Sequence, residues 1–207
     1  DPDDPAFDAV AHIPHVTATR CTAAHWQSVC NKRPEAHQNR QGRNMQWVYA
    51  KRETPWLGHI DIDEYLAPMQ PIAEILDAQP DDRIMLRMAP WEALHDPSLP
   101  DDIFTATDFR AALKGPDHAA NRDIAFGPYA AYLAEGVLSH SAGKCFFRTG
   151  VRGLEPRLHG AFRFGKRLQG EGFDPQIPLL HFHAENRAQW VSRLPFRLTL
   201  GAYKFNP

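Results

Sequence analysis

With 207 residues, 43% of them hydrophobic and 23% charged, the chain has the composition of one globular domain and too little length for two independent cores. Its net charge of -2 gives no general attraction to nucleic acid. No apolar run approaches the roughly 18 residues of a membrane span, which argues against a transmembrane segment. Cys21, Cys30 and Cys145 lack a CxxC spacing, so they indicate neither a disulfide framework nor a zinc knuckle and fit reduced thiols in a cytoplasmic protein.

The chain opens on "DPDDPAFD" without a methionine and closes on "GAYKFNP" after a helical pattern, as expected of a fragment of a longer protein. "IPHVTATRC" (13–21) is rich in β-branched residues and alternates, which predicts a strand. A loop, "SVCNKRPEAHQ", leads to "NRQGRNMQWVYAKRE" (39–53), which has helical composition and is broken by Pro55. "WLGHID" (56–61) reads as a short buried strand and "QPIAEILDAQP" (70–80) as an amphipathic helix with Pro71 near its start. "RIMLRMAPW" (83–91) is the next predicted strand. The second half is less regular. "DFRAALKG" (108–115) reads as a short helix, "GKCFFRTG" (143–150) and "IPLLHFH" (177–183) as strands, and "NRAQWVSRLPFRLTLGAY" (186–203) as a helix disturbed at Pro195. This alternation predicts a single α/β domain over residues 1–207, with a mostly parallel sheet flanked by helices.

The stretch "TPWLGHIDIDEYLAP" (54–68) leads an apolar strand into three carboxylates, Asp61, Asp63 and Glu64. Like charges this close need compensation, and a divalent cation is a common compensator. Strand alternation puts Asp61 and Asp63 on one side and Ile62 on the other, so both acids can converge on Mn²⁺ or Mg²⁺. The same argument places His181 and His183 of "LLHFH" on one face, where either imidazole can complete the site. Arg40, Asn44 and Trp47 fall on one helical stripe, read either as a ligand-facing surface or as a polar helix start above a core Trp.

The segment "RPEAHQNRQGRNMQWVYAKRETPWLGHIDIDEYL" (33–66) resembles the central part of bacterial family 2-like glycosyltransferases with the GT-A fold. In these enzymes a basic residue and an Asn on a helix precede a Trp-led strand that ends in a DxDE metal motif; the counterparts here are Arg40, Asn44, Trp56 and Asp61-Ile62-Asp63-Glu64. "SHSAGKCFFRTGVRGLEPRLHGAF" is similar to the family's Lys-x-x-x-Arg segment leading to a His, here Lys144, Arg148 and His159. "LLHFHAENRAQW" resembles its late His-aromatic strand. The resemblance implies a GT-A-like (Rossmann-like) domain, incomplete at its N-terminus because the strand with the family's Asn-Glu pair has no counterpart. It also implies transfer of a sugar from a nucleotide diphosphate donor to a glycan, lipid or protein acceptor, in the cytoplasm or at the inner face of the membrane. Arg40 and Asn44 would face the nucleotide, Lys144 and Arg148 the diphosphate or an anionic acceptor, and His159 an acceptor hydroxyl. The overlay selects His181 as metal ligand and leaves His183 nearer the phosphates. Glu92, Glu135 and Glu155 are all candidates for the general base, and nothing in the sequence marks one. Two rivals remain: a haloacid-dehalogenase-like phosphatase, whose apolar strand also ends in DxD, and a domain that binds sugar nucleotide or glycan without turnover.

Overall fold

The computed structural model describes residues 3–100, 105–168, 172–183 and 187–199. Three helices come first: α1 (Phe7–Ala11), α2 (Ala23–Cys30) and α3 (His37–Lys51). Thr22 caps α2 through its side-chain oxygen, and Arg52 ends α3 in the left-handed conformation. Strands β1 (Trp56–Gly58) and β2 (Glu64–Leu66) follow, then α4 (Ile72–Asp77), the long β3 (Met85–Ala93) and the short β4 (Phe109–Ala111). Helix α5 (His118–Phe126) runs into a 3-10 turn, after which come β5 (Lys144–Arg148), β6 (Leu154–Arg157), β7 (Gly160–Arg163), β8 (Lys166–Arg167), β9 (Phe173–His181) and α6 (Arg187–Thr199). Among the described residues, no helix is long and apolar enough to cross a membrane.

The main sheet has the order β1-β5-β3-β9-β2, with β4 added to the far end of β3; β6, β7 and β8 form a separate antiparallel sheet. Only β3 and β9 pair in parallel, and every other pairing in the main sheet is antiparallel. This overturns the mostly parallel, helix-flanked GT-A-like (Rossmann-like) sheet expected from the sequence. The physical reason lies in β5. Strands β1 and β3 both run antiparallel to it and so point the same way, as the element alternation suggested. They are not neighbours, however, because the chain returns through β4 and α5 and inserts β5 between them. The connection between β2 and β3 carries only the short helix α4, and β3 lies between β5 and β9 instead of beside β1.

Two local expectations also fail. Residues 13–21, expected as a strand, form a bend and turn up to His15 and no regular structure beyond it, since β-branched residues form sheet only against a partner. The expected helix at 108–115 is instead β4, whose backbone pairs with Trp91, Glu92 and Ala93. The helix expected at 39–53 forms at His37–Lys51, and the helix around Pro195 forms at Arg187–Thr199 with Pro195 inside it; its expected ends, residues 186 and 200–203, lie outside the described residues.

Both faces of the sheet centre are covered. Trp56, Leu86, Met88, Phe146, Ile177 and Leu179 pack with Ile75 and Leu76 of α4, whereas Met85, Cys145 and Phe147 pack with Met45 of α3 and with Leu154 and Ala161 of the small sheet. The run Lys-Cys-Phe-Phe is therefore buried without interruption. Burial pushes the Cys145 thiol up to about 11, which leaves it an inert core residue.

Gly143 immediately precedes β5 with a φ of 69°, and a Cβ there would run into the Met88 carbonyl oxygen and the Phe173 ring. Gly143→Ala is expected to cost about 3 kcal/mol or more in urea denaturation. Gly42 sits inside α3 with no atom within 4 Å of its virtual Cβ, so Gly42→Ala should instead stabilise by up to about 1 kcal/mol.

Candidate metal centre

Strand β1 ends at Gly58, and the three carboxylates lie on the turn that follows. Glu64 N–H donates to the Asp61 carbonyl at 3.1 Å, and Asp61 N–H donates to Glu64 Oε2 at 2.7 Å, which closes the turn from both ends. Ile62 stands at its tip, 98% exposed. From there β2 pairs antiparallel with β9, placing Glu64 opposite His181, and Phe182 N–H donates to the Asp63 carbonyl at 2.9 Å. On the other side of β9, Glu92 of β3 is also in register with His181. The imidazole thus sits between two acidic strand positions.

Lys144 opens β5 and is 1% exposed. Its ammonium donates to Asp61 Oδ2 at 2.6 Å and lies 3.7 Å from Glu64 Oε2, while Gln41 of α3 donates to Asp61 Oδ1 at 2.6 Å. Burial raises the Asp61 pKa, but Lys144 outweighs it and holds the carboxyl below its ordinary value. For Asp63 burial likewise raises and His181 lowers, with a net shift downward.

Four imidazoles form a row: ring centroids are 4.4 Å apart for His159 and His140, 5.3 Å for His140 and His181, and 5.3 Å for His181 and His183. His159 Nδ1 donates to the Gly143 carbonyl at 2.8 Å. Burial lowers the pKa of both His159 and His183 to about 4, so at neutral pH both are uncharged, the form that binds metals. His140 lies on the loop before β5, and Glu92 fixes that loop. The Glu92 carboxylate accepts from the backbone N–H of Leu138 at 2.9 Å and of Ser139 at 2.8 Å, and pairs with Arg110 at 2.7 Å.

Two sets of side chains have ligand atoms within 4.8 Å of one another: Asp63, His181 and His183, and Glu64, His140 and His181. Glu64 Oε1, both nitrogens of His140 and Nδ1 of His181 are shut from solvent without a hydrogen-bond partner. Buried polar atoms normally find partners, so such a cluster of orphans fits a cation. Asp61, Asp63, His181 and His183 also line a cavity of about 660 Å³, with Asn44 on the α3 side and Arg193 and Arg197 on the α6 side.

The expected site residues therefore divide. Asp61, Asp63, Lys144, His159, His181 and His183 gather in one place, with Asn44 on the cavity wall. Asn44 is itself held by His25 Nε2 at 2.8 Å. Arg40 turns away and donates to the carbonyls of Pro34 and Glu35, bracing the loop before α3. Arg148 lies at the opposite end of β5, where it binds the carbonyls of Gln79, Pro80 and Arg83 and stacks over Trp56. Of the three candidate bases, Glu92 is spent on Arg110 and the loop amides, Glu135 pairs with Lys114, and Glu155 pairs with Arg157. His140 and Gln41 were not anticipated. Nothing in the sequence spacing joins His140 to Glu64, since they meet only through sheet register and the loop that Glu92 clamps.

Two outcomes follow. Lys144→Met should lower stability by about 3–5 kcal/mol in chemical denaturation, because Asp61 and Glu64 would be left without their buried cation. In metal-free protein, the unfolded chain protonates His159 and His183 near pH 6.5, the folded chain only near 4. Their contribution is complete above about pH 6.5 and is lost as pH falls towards 4, so the urea midpoint should decline across that window, and His159→Asn should flatten the decline. A midpoint constant from pH 6.5 to 4 would contradict the burial of these rings.

Compared with known proteins, the chain matches no family model, no curated protein and no solved structure.

Proposed function

We propose that this protein is a divalent-metal-dependent transferase that takes a sugar from a nucleotide diphosphate donor and delivers it to a glycan, lipid or protein hydroxyl. The observation that carries the reading is the trio Asp63, His181 and His183 in a cavity that Arg193 and Arg197 also line. One carboxylate and two imidazoles suit Mn²⁺ or a related ion, and the residue likeness of the Asp61–Glu64 segment to nucleotide-sugar transferases points to the diphosphate. The bound cation would supply Lewis-acid stabilisation of the departing diphosphate.

The chain's own residues have separate tasks in this reading. Asp63 and His181 hold the ion. Arg193 and Arg197, four residues apart on α6, meet the phosphate oxygens from the other side with charge-assisted hydrogen bonds. Arg197 donates to His183 Nε2 at 3.2 Å, a contact that supports a role for His183 beside the phosphates. Asp61, tied to Lys144 and Gln41, holds the turn in place. In the reaction the bond from the sugar's anomeric carbon to the diphosphate breaks and one to the acceptor oxygen forms, with the hydroxyl proton passing to a base. The phosphatase alternative asks for Asp61 as nucleophile, and both of its carboxylate oxygens are engaged.

A thermal-shift series with uridine, guanosine and thymidine diphosphate sugars tests the proposal. At a hundredfold excess over Kd, ligand binding to the folded state adds about 2.7 kcal/mol. A shift is expected only when Mn²⁺ is also present. Asp63→Asn and His181→Ala should remove it, and His183→Ala should weaken it. If no nucleotide sugar stabilises the protein, or metal makes no difference, the reading is wrong.

A further inference from the structure

The second trio differs from the first in its surroundings. Glu64 is 2% exposed; its Oε2 accepts from Asp61 N–H, while Oε1 is buried without a hydrogen bond. His140 brings its Nε2 to 3.5 Å from that oxygen, too far for a good hydrogen bond, and neither of its nitrogens has another partner. His181 stands opposite Glu64 in the β2–β9 register and within ring contact of His140. On the cavity side, by contrast, the Nε2 lone pair of His183 is engaged by Arg197. Among the buried side-chain atoms without a hydrogen bond, Glu64 Oε1 and both His140 nitrogens belong to the inner trio alone and His181 Nδ1 is shared with the other, and a carboxylate that leaves one oxygen buried and unpaired is costly unless something binds it.

We propose that Glu64, His140 and His181 form a metal site for Zn²⁺ or a similar imidazole-preferring divalent ion, distinct from the Asp63 set and reached from the cavity that His140 and His181 line. Two imidazoles and one carboxylate are a zinc donor set, whereas Mg²⁺ prefers oxygen ligands and retains water. Zinc bonds of about 2.0–2.2 Å require the three side chains to draw together from the 4.8 Å span, and His140 is the one on a loop. Glu92 acts here as a positioning residue, since it holds the Leu138 and Ser139 amides that place His140. His181 belongs to both sets, and an imidazole binds ions on both nitrogens only after losing its ring proton. An inner ion therefore competes with one on the cavity side. The site does not depend on the transferase reading.

The test starts from the full chain stripped of metal with a chelator. Calorimetry with Zn²⁺ should give about one equivalent bound, with affinity reduced on the order of 100-fold in His140→Ala and unchanged in Asp63→Asn. Excess Mg²⁺ should not displace it. Should His140→Ala fail to fold, anomalous diffraction at the zinc edge from wild-type crystals locates the ion directly, and it is expected between Glu64, His140 and His181. Zinc bound between Asp63 and His183, full affinity in a folded His140→Ala variant, or no zinc bound at all overturns the proposal. If nucleotide sugars fail to bind but zinc still depends on His140, the transferase reading falls and this site stands.

Discussion

The arrangement around the carboxylates depends on one interaction, the buried Lys144 ammonium against Asp61 and Glu64. A cation this deep costs several kcal/mol in desolvation and is tolerable only with negative partners in hydrogen-bond range. That requirement acts across the fold. Lys144 is the first residue of β5, Asp61 lies in the turn after β1, and Glu64 begins β2, so a single charge ties three segments together. Gln41 adds α3 through the second oxygen of Asp61. The basic residue that the sequence offered as a phosphate ligand is thereby the residue that shapes the acidic turn.

How much of this was legible follows from which interactions are local. The helix at His37–Lys51, the strand starting at Trp56 and the buried strands at Met85–Ala93 and Lys144–Arg148 all carry their signal in neighbouring residues, through helical composition or unbroken apolar runs. Strand neighbourhood carries no such signal. That β5 lies between β1 and β3 depends on where the long return through β4 and α5 brings the chain, and the mostly parallel sheet was lost at that point. Alternation correctly set Ile62 apart from Asp61 and Asp63, although those residues form a turn and not a strand. It did not reveal that the two acids take different partners, Lys144 for one and His181 for the other.

Glu92 illustrates the same limit from the other direction. A carboxylate near the end of a strand reads as a candidate base, because reactivity and support use the same residue type. Its environment decides otherwise. Burial raises its pKa, but Arg110 and the Leu138 and Ser139 amides outweigh this and keep it below its ordinary value. Such a carboxylate holds backbone and is a poor proton acceptor. What it holds is the loop bearing His140, so its influence on the centre passes through a side chain distant in sequence and in no sequence pattern.

Charge balance ties these features to chemistry. Asp61 and Glu64 share the Lys144 ammonium while Asp63 faces His181, so three negative charges less one positive leave two when all are ionised. His159 and His183 do not supply the difference at neutral pH, since burial keeps both rings uncharged. Arg193 and Arg197 line the same cavity as Asp61 and Asp63, where they would suit an anion. A single divalent cation would neutralise the remainder and take up the lone pairs that the neutral imidazoles offer. The row of histidines and the knot of acids are therefore two halves of one arrangement that could hold a metal ion.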